Sequence, residues 1–347
     1  MVFIRKKAEE TENKTSRAIA ETLIRKTLKD INRSPERSIR NIVDLASEVS
    51  NGRFQSYFFR AAQTMLKNEH SSYYALVEDA AENIEHERLV CFGLNIGYNS
   101  CTSGAKKIRG LEKKENFNIP WCVSLEINTN LFKKLLRKYN SIIKQGEKIG
   151  IYTWFVFNES CSEEVLSLAE NHPESAFAFF CNPSEITVSF AEKAAAFKNI
   201  MLVIKFGEDT QNTLEYLRRR GFLYSVYYEY SDDDIDFIVS GKYFSETSKL
   251  HSPFSVLVSK NGCSQRTKSL IYDYCVSTRT GQSFPTVPWE LESDGNFIDE
   301  IISGDSCSAF FDKNGYLFSK KEKQLNLFEN DLKSIFKIAF PKEKTEE

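Results

Sequence analysis

Five strand-length apolar runs recur at a regular pitch in the middle of the chain, each followed by an amphipathic stretch of helical length. The runs begin at Cys122, Ile151, Ala176, Met201 and Phe222, so successive starts are 29, 25, 25 and 21 residues apart. The amphipathic stretches cover 131–149, 161–171, 183–198 and 209–220. Strands that are apolar along their length and alternate with helices are typical of a parallel sheet with helical crossovers. The pattern therefore predicts an α/β fold, either a barrel or a doubly wound sheet.

The segments on either side of these repeats add further elements to the predicted fold. A sixth strand is expected at 254–258 and a helix at 264–275. No Gly-x-Gly-x-x-Gly motif follows the first strand, which disfavours a dinucleotide-binding sheet. The Gly-containing segment 93–107 does not match a phosphate loop, because Gly104 is followed by Ala105 and not by Lys. We therefore expect 91–118 to be a connector that packs the preceding helices against the sheet.

The two ends of the chain differ from the middle. Residues 1 to about 90 have the apolar period of helices, and Ser34-Pro35-Glu36 is a typical helix start. Asn314-Gly315 predicts the turn of a β-hairpin over 308–318, and a last helix is expected at 329–339. The expected division is 1–115 for the helical region with its connector, 116–279 for the barrel and 280–347 for the C-terminal extension.

Composition bounds the function and the compartment. The 46 Lys and Arg residues against 48 Asp and Glu leave a net charge of −2, which argues against a nucleic-acid-coating protein. The start of the chain has no signal-peptide pattern, and no apolar run is long enough to span a membrane. Eight cysteines without a Cys-x-x-Cys pair are interpreted as reduced thiols. These features predict a cytoplasmic protein.

Short motifs in the repeat region resemble those of bacterial radical SAM proteins that have a helical N-terminal region. Residues 116–121 (NFNIPW) are similar to the N-I-P-W entry to the barrel, and 146–152 (GEKIGIY) to the approach to the second strand. Residues 178–182 and 203–207 are similar to the third and fourth strands, and 310–318 to the hairpin after the core. The resemblance covers roughly 116 to 320 and implies a partial TIM-like (βα)6 barrel of radical SAM type.

The motif that carries radical SAM chemistry is missing. That family holds a 4Fe–4S cluster on a C-x3-C-x2-C loop after the first strand, and three thiolates must lie within reach of the iron atoms. Here the first strand leads through Asn128-Thr129-Asn130 to a helix near Leu131, and no cysteine lies between Cys122 and Cys161. The sequence therefore predicts a degenerate member of the family without the cluster and with no metal ligands.

Three residues match positions that hold S-adenosylmethionine in the family. Glu159 matches the Glu of the family's G-G-E-P motif, Asn182 matches the Asn of T-N-G, and Gly207 matches the Gly of the fourth strand. The resemblance implies that these three residues line a ligand site, with S-adenosylmethionine as a possible cofactor. Glu159 and Asn182 each precede a helix, so helix capping is the alternative role, and Pro183 after Asn182 favours it.

Other candidate sites have simpler interpretations. The four histidines are isolated, so no zinc motif is present. The widely spaced Cys263, Cys275 and Cys307 are expected to be buried thiols and not ligands of an auxiliary cluster. The acidic run 232–236 lacks the Gly and the Glu of a calcium loop and is expected to be a solvated loop.

Three functions remain open at this point. The first is a non-catalytic binding or partner protein, acting beside an active radical SAM relative. The second is an enzyme that retains S-adenosylmethionine or another small ligand at the barrel mouth. The third is an unrelated α/β protein. The first 40 residues carry eleven Lys and Arg against six Asp and Glu, so an acidic protein is a further possible partner. Neither nucleic acid nor a membrane is expected as a partner.

Overall fold

Eight parallel strands form one sheet in the computed structural model, which describes residues 2–31, 33–49, 52–158, 162–318 and 325–342. The strands are β1 (Cys122–Ile127), β2 (Thr153–Asn158), β3 (Ala176–Cys181), β4 (Ile200–Lys205), β5 (Tyr224–Tyr230), β6 (Phe254–Ser259), β7 (Val287–Glu290) and β8 (Ala309–Phe311). Their order is β7-β6-β5-β4-β3-β2-β1-β8. The sheet curls into a half-barrel, which confirms the predicted fold class.

Fifteen α-helices accompany the sheet in the described part of the chain. Those before the sheet are α1 (Val2–Asp30), α2 (Pro35–Val49), α3 (Arg53–Met65), α4 (Ser72–Asn83), α5 (His86–Leu94) and α6 (Ala105–Glu115). Those that follow β1 to β6 are α7 (Phe132–Ile149), α8 (Ser167–Asn171), α9 (Val188–Ala194), α10 (Thr210–Arg219), α11 (Ile235–Val239), α12 (Lys242–Ser248) and α13 (Gln265–Gly281). The last two are α14 (Leu291–Ser303) and α15 (Leu332–Ala339).

The tail contains the predicted hairpin turn and also extends the sheet. Phe311 forms an antiparallel bridge with Leu317, and Gly315 takes a positive φ of 86° at the turn, as Asn-Gly predicts. The first arm is nevertheless β8, which pairs in parallel with β1. The sheet gains β7 at its other edge as well, so it has two more strands than the six that the sequence predicts.

The two faces of the sheet have separate apolar clusters. Val123, Leu125 and Ile127 of β1 belong to the larger cluster, which the helices after β1 to β4 cover. Alternate residues point to the concave inner face, where Phe180, Val203 and Tyr227 belong to a second cluster. Because successive side chains of a strand alternate between faces, the inner face holds the residues at even positions of β1 and β3.

The segment 91–118 is helical for most of its length and is more than a connector. A π-helix, Asn95–Gly104, joins α5 to α6 without a break. Asn95 Nδ2 donates to the carbonyls of Pro173 (2.9 Å) and Ser175 (3.1 Å), and Asn99 Nδ2 donates to that of Glu174 (2.8 Å). These bonds fasten the segment to the loop that enters β3, at the amino end of the sheet.

The helices before the sheet contact the crossover helices of the barrel through polar groups. The Arg88 guanidinium, 1% exposed, donates to the carbonyls of Phe197 (2.6 Å) and Ala195 (2.9 Å), which follow α9. Arg218 of α10 pairs with Asp79 of α4 at 2.5 Å. Removing a partner of the buried Arg88 guanidinium is costly, whereas Arg218 and Asp79 are about one-quarter exposed, so Arg88 is the stronger of the two contacts that hold α4 and α5 against the barrel.

The described residues contain no helix that is long and apolar enough to cross a membrane. Six cysteines are free thiols: Cys91, Cys101, Cys122, Cys263, Cys275 and Cys307. Cys181 is disulfide-bonded, so the prediction that all eight cysteines are reduced is wrong for that residue. Cys161 lies outside the described residues.

Candidate ligand site at the open end of the barrel

The carboxyl ends of β1 to β5 bring polar and aromatic side chains together on the inner face. Glu126 pairs in register with Phe157, which pairs with Phe180, and Lys205 pairs with Tyr227. Residues in register on parallel strands point to the same face. Binding sites of parallel α/β folds lie at this end of the sheet. We refer to this surface as the mouth.

Asn182 lies at the end of β3 and begins a short 3₁₀-helix, Pro183–Glu185. Its backbone N–H donates to Glu185 Oε2 at 2.9 Å, and its side-chain Nδ2 donates to Glu185 Oε1 at 3.2 Å. The structure thus places Asn182 at the mouth and also gives it the position of a helix cap. A ligand would have to share or replace these bonds to Glu185.

Next to Asn182, the mouth contains a charged pair and a phenol. Lys205 Nζ pairs with Glu229 Oε2, and both side chains are about one-third exposed. Tyr227 is 5% exposed, and its burial raises its pKa, as do the neighbouring carboxylates of Glu229 and Glu185. Tyr227 therefore stays a neutral phenol at neutral pH, and its hydroxyl group carries no charge into the mouth.

The other two candidate residues differ in what the structure describes. Gly207 follows β4, and its backbone N–H donates to Thr210 Oγ1 at 2.7 Å. A Cβ at Gly207 would meet no heavy atom within 4 Å, so packing does not require glycine there. Glu159 lies outside the described residues.

An aromatic row crosses the mouth, and the sequence did not reveal it. Its consecutive ring centroids are 6.0 Å apart for Phe318–Phe310, 5.8 Å for Phe310–Phe157, 4.2 Å for Phe157–Phe180 and 5.2 Å for Phe180–Tyr227. The row runs from the exposed Phe318 to the buried end beside Lys205 and Glu229. Strand alternation places Phe157 and Phe180 on the same face. In a continuous apolar run, however, the sequence does not show which of the two faces is the inner one.

The end of β1 does not provide ligands for an iron–sulfur cluster. A tight turn leads to α7, in which Leu131 N donates to Asn128 O at 3.1 Å and Phe132 N to Thr129 O at 3.3 Å. The turn residues 128–131 are Asn, Thr, Asn and Leu, and none is a thiolate. Within the described ranges, no group of three or more His, Cys, Asp and Glu residues could hold a metal ion. The residues present do not fit the cluster of the radical SAM family.

The remaining sequence candidates have structural roles. Burial raises the pKa values of the Cys275 and Cys307 thiols, which are fully buried. The expectation of a buried thiol is wrong for Cys263, which is only half-buried and whose thiol donates to Asp232 Oδ1 at 3.6 Å. Asp232 also accepts from Ser264 N at 3.0 Å, at the start of α13. The acidic run thus includes a helix-capping carboxylate and is not only a solvated loop.

A surface cavity lies elsewhere, between α2 and α3, and its lining includes Gln55, Arg60 and Gln63. It is far in the chain from the strand ends, and the sequence motifs do not involve it. We place the candidate site at the mouth because parallel α/β folds bind their ligands there.

Comparisons with known proteins support the fold. No protein-family model matches the chain, and no curated protein matches it. The structure is similar to that of Streptococcus suis SuiB bound to S-adenosylmethionine, with a TM-score of 0.50 and 11% identity over 67% of this chain and 66% of that one. It is also similar to SuiB bound to the precursor peptide SuiA (TM-score 0.48, 11% identity, 68% of this chain and 69% of that one). The likeness is one of fold and supports the α/β half-barrel architecture.

Proposed function

We propose that this protein is a degenerate radical SAM-like protein that works without the 4Fe–4S cluster, as a non-catalytic binding or partner protein. The observation that carries the proposal is the connection from β1 to α7. A three-thiolate loop would have to lie there, and the four residues of the turn contain no cysteine. The retained barrel then serves to present a binding surface.

The mouth is the binding surface that the geometry favours. Asn182, Gly207 and Glu159 are the residues that we propose to line it, together with the Lys205–Glu229 pair beside Asn182. A site of this kind needs a few polar groups next to apolar walls, and the aromatic row supplies those walls.

A protein partner is the second part of the proposal. An active radical SAM relative would be one such partner, and an acidic protein that binds the basic N-terminal helices would be another. Lys26 and Lys29 of α1 are exposed, whereas Arg25 is already paired with Glu87 at 2.5 Å and with Glu21 at 2.9 Å. Only part of the basic charge of α1 is therefore available to a partner.

An enzyme that retains S-adenosylmethionine is the alternative. The observation that favours it is the survival of an Asn at the end of β3 and of polar groups on the adjacent strands. On that alternative, the ligand binds at the mouth and the chemistry does not depend on iron.

Titration calorimetry with S-adenosylmethionine tests both ideas on the full-length protein, before and after anaerobic reconstitution with iron and sulfide. For the non-catalytic proposal we expect the same binding isotherm in both samples and no consumption of S-adenosylmethionine. Consumption that requires iron would overturn it. Iron-independent consumption would establish the alternative enzyme.

Matched variants locate the ligand. Asn182→Ala should weaken any measured affinity, whereas Asn171→Ala, in an exposed residue at the end of α8, should not. If Asn182→Ala lowers the melting temperature without changing ligand affinity, Asn182 is a cap and has no part in the site.

A further inference from the structure

We propose that the aromatic side of the mouth binds a small organic cation: an amine whose apolar or aromatic body packs on Phe157, Phe310 and Phe318 and whose ammonium group pairs with Glu126. This inference rests on the proposed function, because it names the class of ligand that the mouth would take.

The aromatic row provides the apolar wall. Phe318 is 66% exposed, which is the largest exposure among the large apolar side chains of the described residues. Its ring lies edge-on to that of the half-buried Phe310, which in turn contacts Phe157. Burying an exposed ring against a ligand is favourable because it removes apolar surface from water.

Glu126 places a negative charge within this wall. It lies on the inner face of β1, in register with the half-buried Phe157, and the next strand on its other side carries Phe310. Its Oε2 accepts from the backbone N–H of Lys313 at 3.2 Å, which fixes the carboxylate at the rim. A carboxylate attracts a cation through its charge, and the aromatic faces beside it attract the same cation through their ring quadrupoles.

The surroundings of the row select against anions. Glu185 and Glu229 lie near Tyr227 at the far end of the row, and Lys205 is paired with Glu229. Among the described residues, the carboxylates of Glu126, Glu185 and Glu229 therefore lie along the row, and Lys205 and Lys313 are the cationic residues beside them. A negatively charged ligand would meet like charges there, whereas an amine would not.

Three isosteric probes test the inference on the full-length protein: 2-phenylethylamine, 2-phenylethanol and phenylacetate, each titrated by NMR. We expect the amine to bind more tightly than the alcohol, and the acid to bind least. Glu126→Gln keeps an acceptor for Lys313 N–H, and Phe318→Ala removes an exposed ring, so both variants should fold. Each should weaken amine binding roughly fivefold.

Two controls carry the same substitutions elsewhere. Glu174→Gln changes an exposed residue before β3, at the amino end of the sheet, and Phe58→Ala changes a 51% exposed ring on α3. Neither should alter amine binding. Absence of amine binding at millimolar concentration, equal binding of the acid, or equal effects of control and site variants would overturn the inference. If the protein binds no cluster and no amine, this inference fails and the proposed function stands. If the protein binds an iron–sulfur cluster, the proposed function fails, whether or not the amine binds.

Discussion

At the scale of single residues, Asp299 of α14 is the buried group with the clearest consequence. It is 1% exposed and accepts from the backbone N–H of Trp121 at 2.8 Å, just before β1. Burial raises the pKa of its carboxyl group to about 8, although hydrogen bonds from Trp121 and Cys307 act to lower it, and the nearby Glu112 raises it further. The carboxyl group is therefore largely protonated in the folded protein at neutral pH.

This protonation makes stability depend on pH. An aspartic acid in the unfolded chain titrates near pH 4, so the folded state binds the proton more tightly between about pH 4 and pH 8. The stabilisation is complete below pH 4 and is lost as the pH rises through 8. We expect the unfolding free energy to fall by about 1 kcal/mol per pH unit in this window.

Urea unfolding of the wild type and of Asp299→Asn between pH 5.5 and 8.5 measures the effect. The variant should show a smaller slope, since Asn keeps the acceptor for Trp121 N–H but does not titrate. Asp233→Asn, in an exposed residue of the acidic run, should leave the slope as it is in the wild type. Parallel slopes for the wild type and Asp299→Asn would show that Asp299 is not the titrating group.

At the scale of elements, the π-helix between α5 and α6 depends on one close backbone contact. A Cβ on Gly104 would collide with the carbonyl oxygen of Gly150, at the end of α7, and with that of Asn99. By contrast, a Cβ on Gly97 in the same π-helix would meet nothing within 4 Å. The two glycines are a matched pair in one element.

We therefore expect Gly104→Ala to destabilise the protein by about 2 kcal/mol, since backbone atoms must shift to make room. Gly97→Ala should change stability by less than about 1 kcal/mol, because alanine is accommodated in a helix without strain. Chemical denaturation of both variants provides the measurement. Equal losses would mean that the contact between Gly104 and Gly150 does not limit the packing of α6 against α7.

The sequence predicted the strands best where a run of apolar residues marks the strand. The starts of β1, β3 and β6 agree with the prediction, because each strand is a nearly continuous apolar run between helices. β7 was not predicted, since it has four residues including Pro288. β8 was predicted as an arm of the hairpin, but its parallel pairing with β1 was not. Both segments are strands because an adjacent strand of the sheet supplies their hydrogen bonds, and the local sequence does not reveal which strand will be adjacent.

The site was predictable only in part, for the same reason. Asn182 and Gly207 were proposed as site residues because they match motif positions of the radical SAM family. The Lys205–Glu229 pair and the aromatic row join residues from different strands, and their partners depend on register. Motif matching finds residues of a known family and does not find surfaces that this chain has in addition.

At the scale of the whole molecule, the helices before the sheet and the barrel share a polar and apolar interface. Glu85 N donates to Gly221 O at 2.9 Å, Lys198 pairs with Glu85 at 2.6 Å, and Phe92 belongs to the inner-face cluster. We expect limited trypsin digestion under native conditions to release no stable fragment beginning near residue 115, because cleavage there would expose that cluster. Such a fragment, folded and without the helices, would show that the helical region is an independent unit.

We infer that the barrel lacks the residues that hold a 4Fe–4S cluster, and the iron content after anaerobic reconstitution measures whether a cluster forms. The protein is incubated with iron and sulfide, desalted without oxygen, and assayed for iron together with its visible spectrum. We expect a colourless protein with iron well below one atom per chain. About four iron atoms per chain with a broad absorption near 400 nm would contradict it.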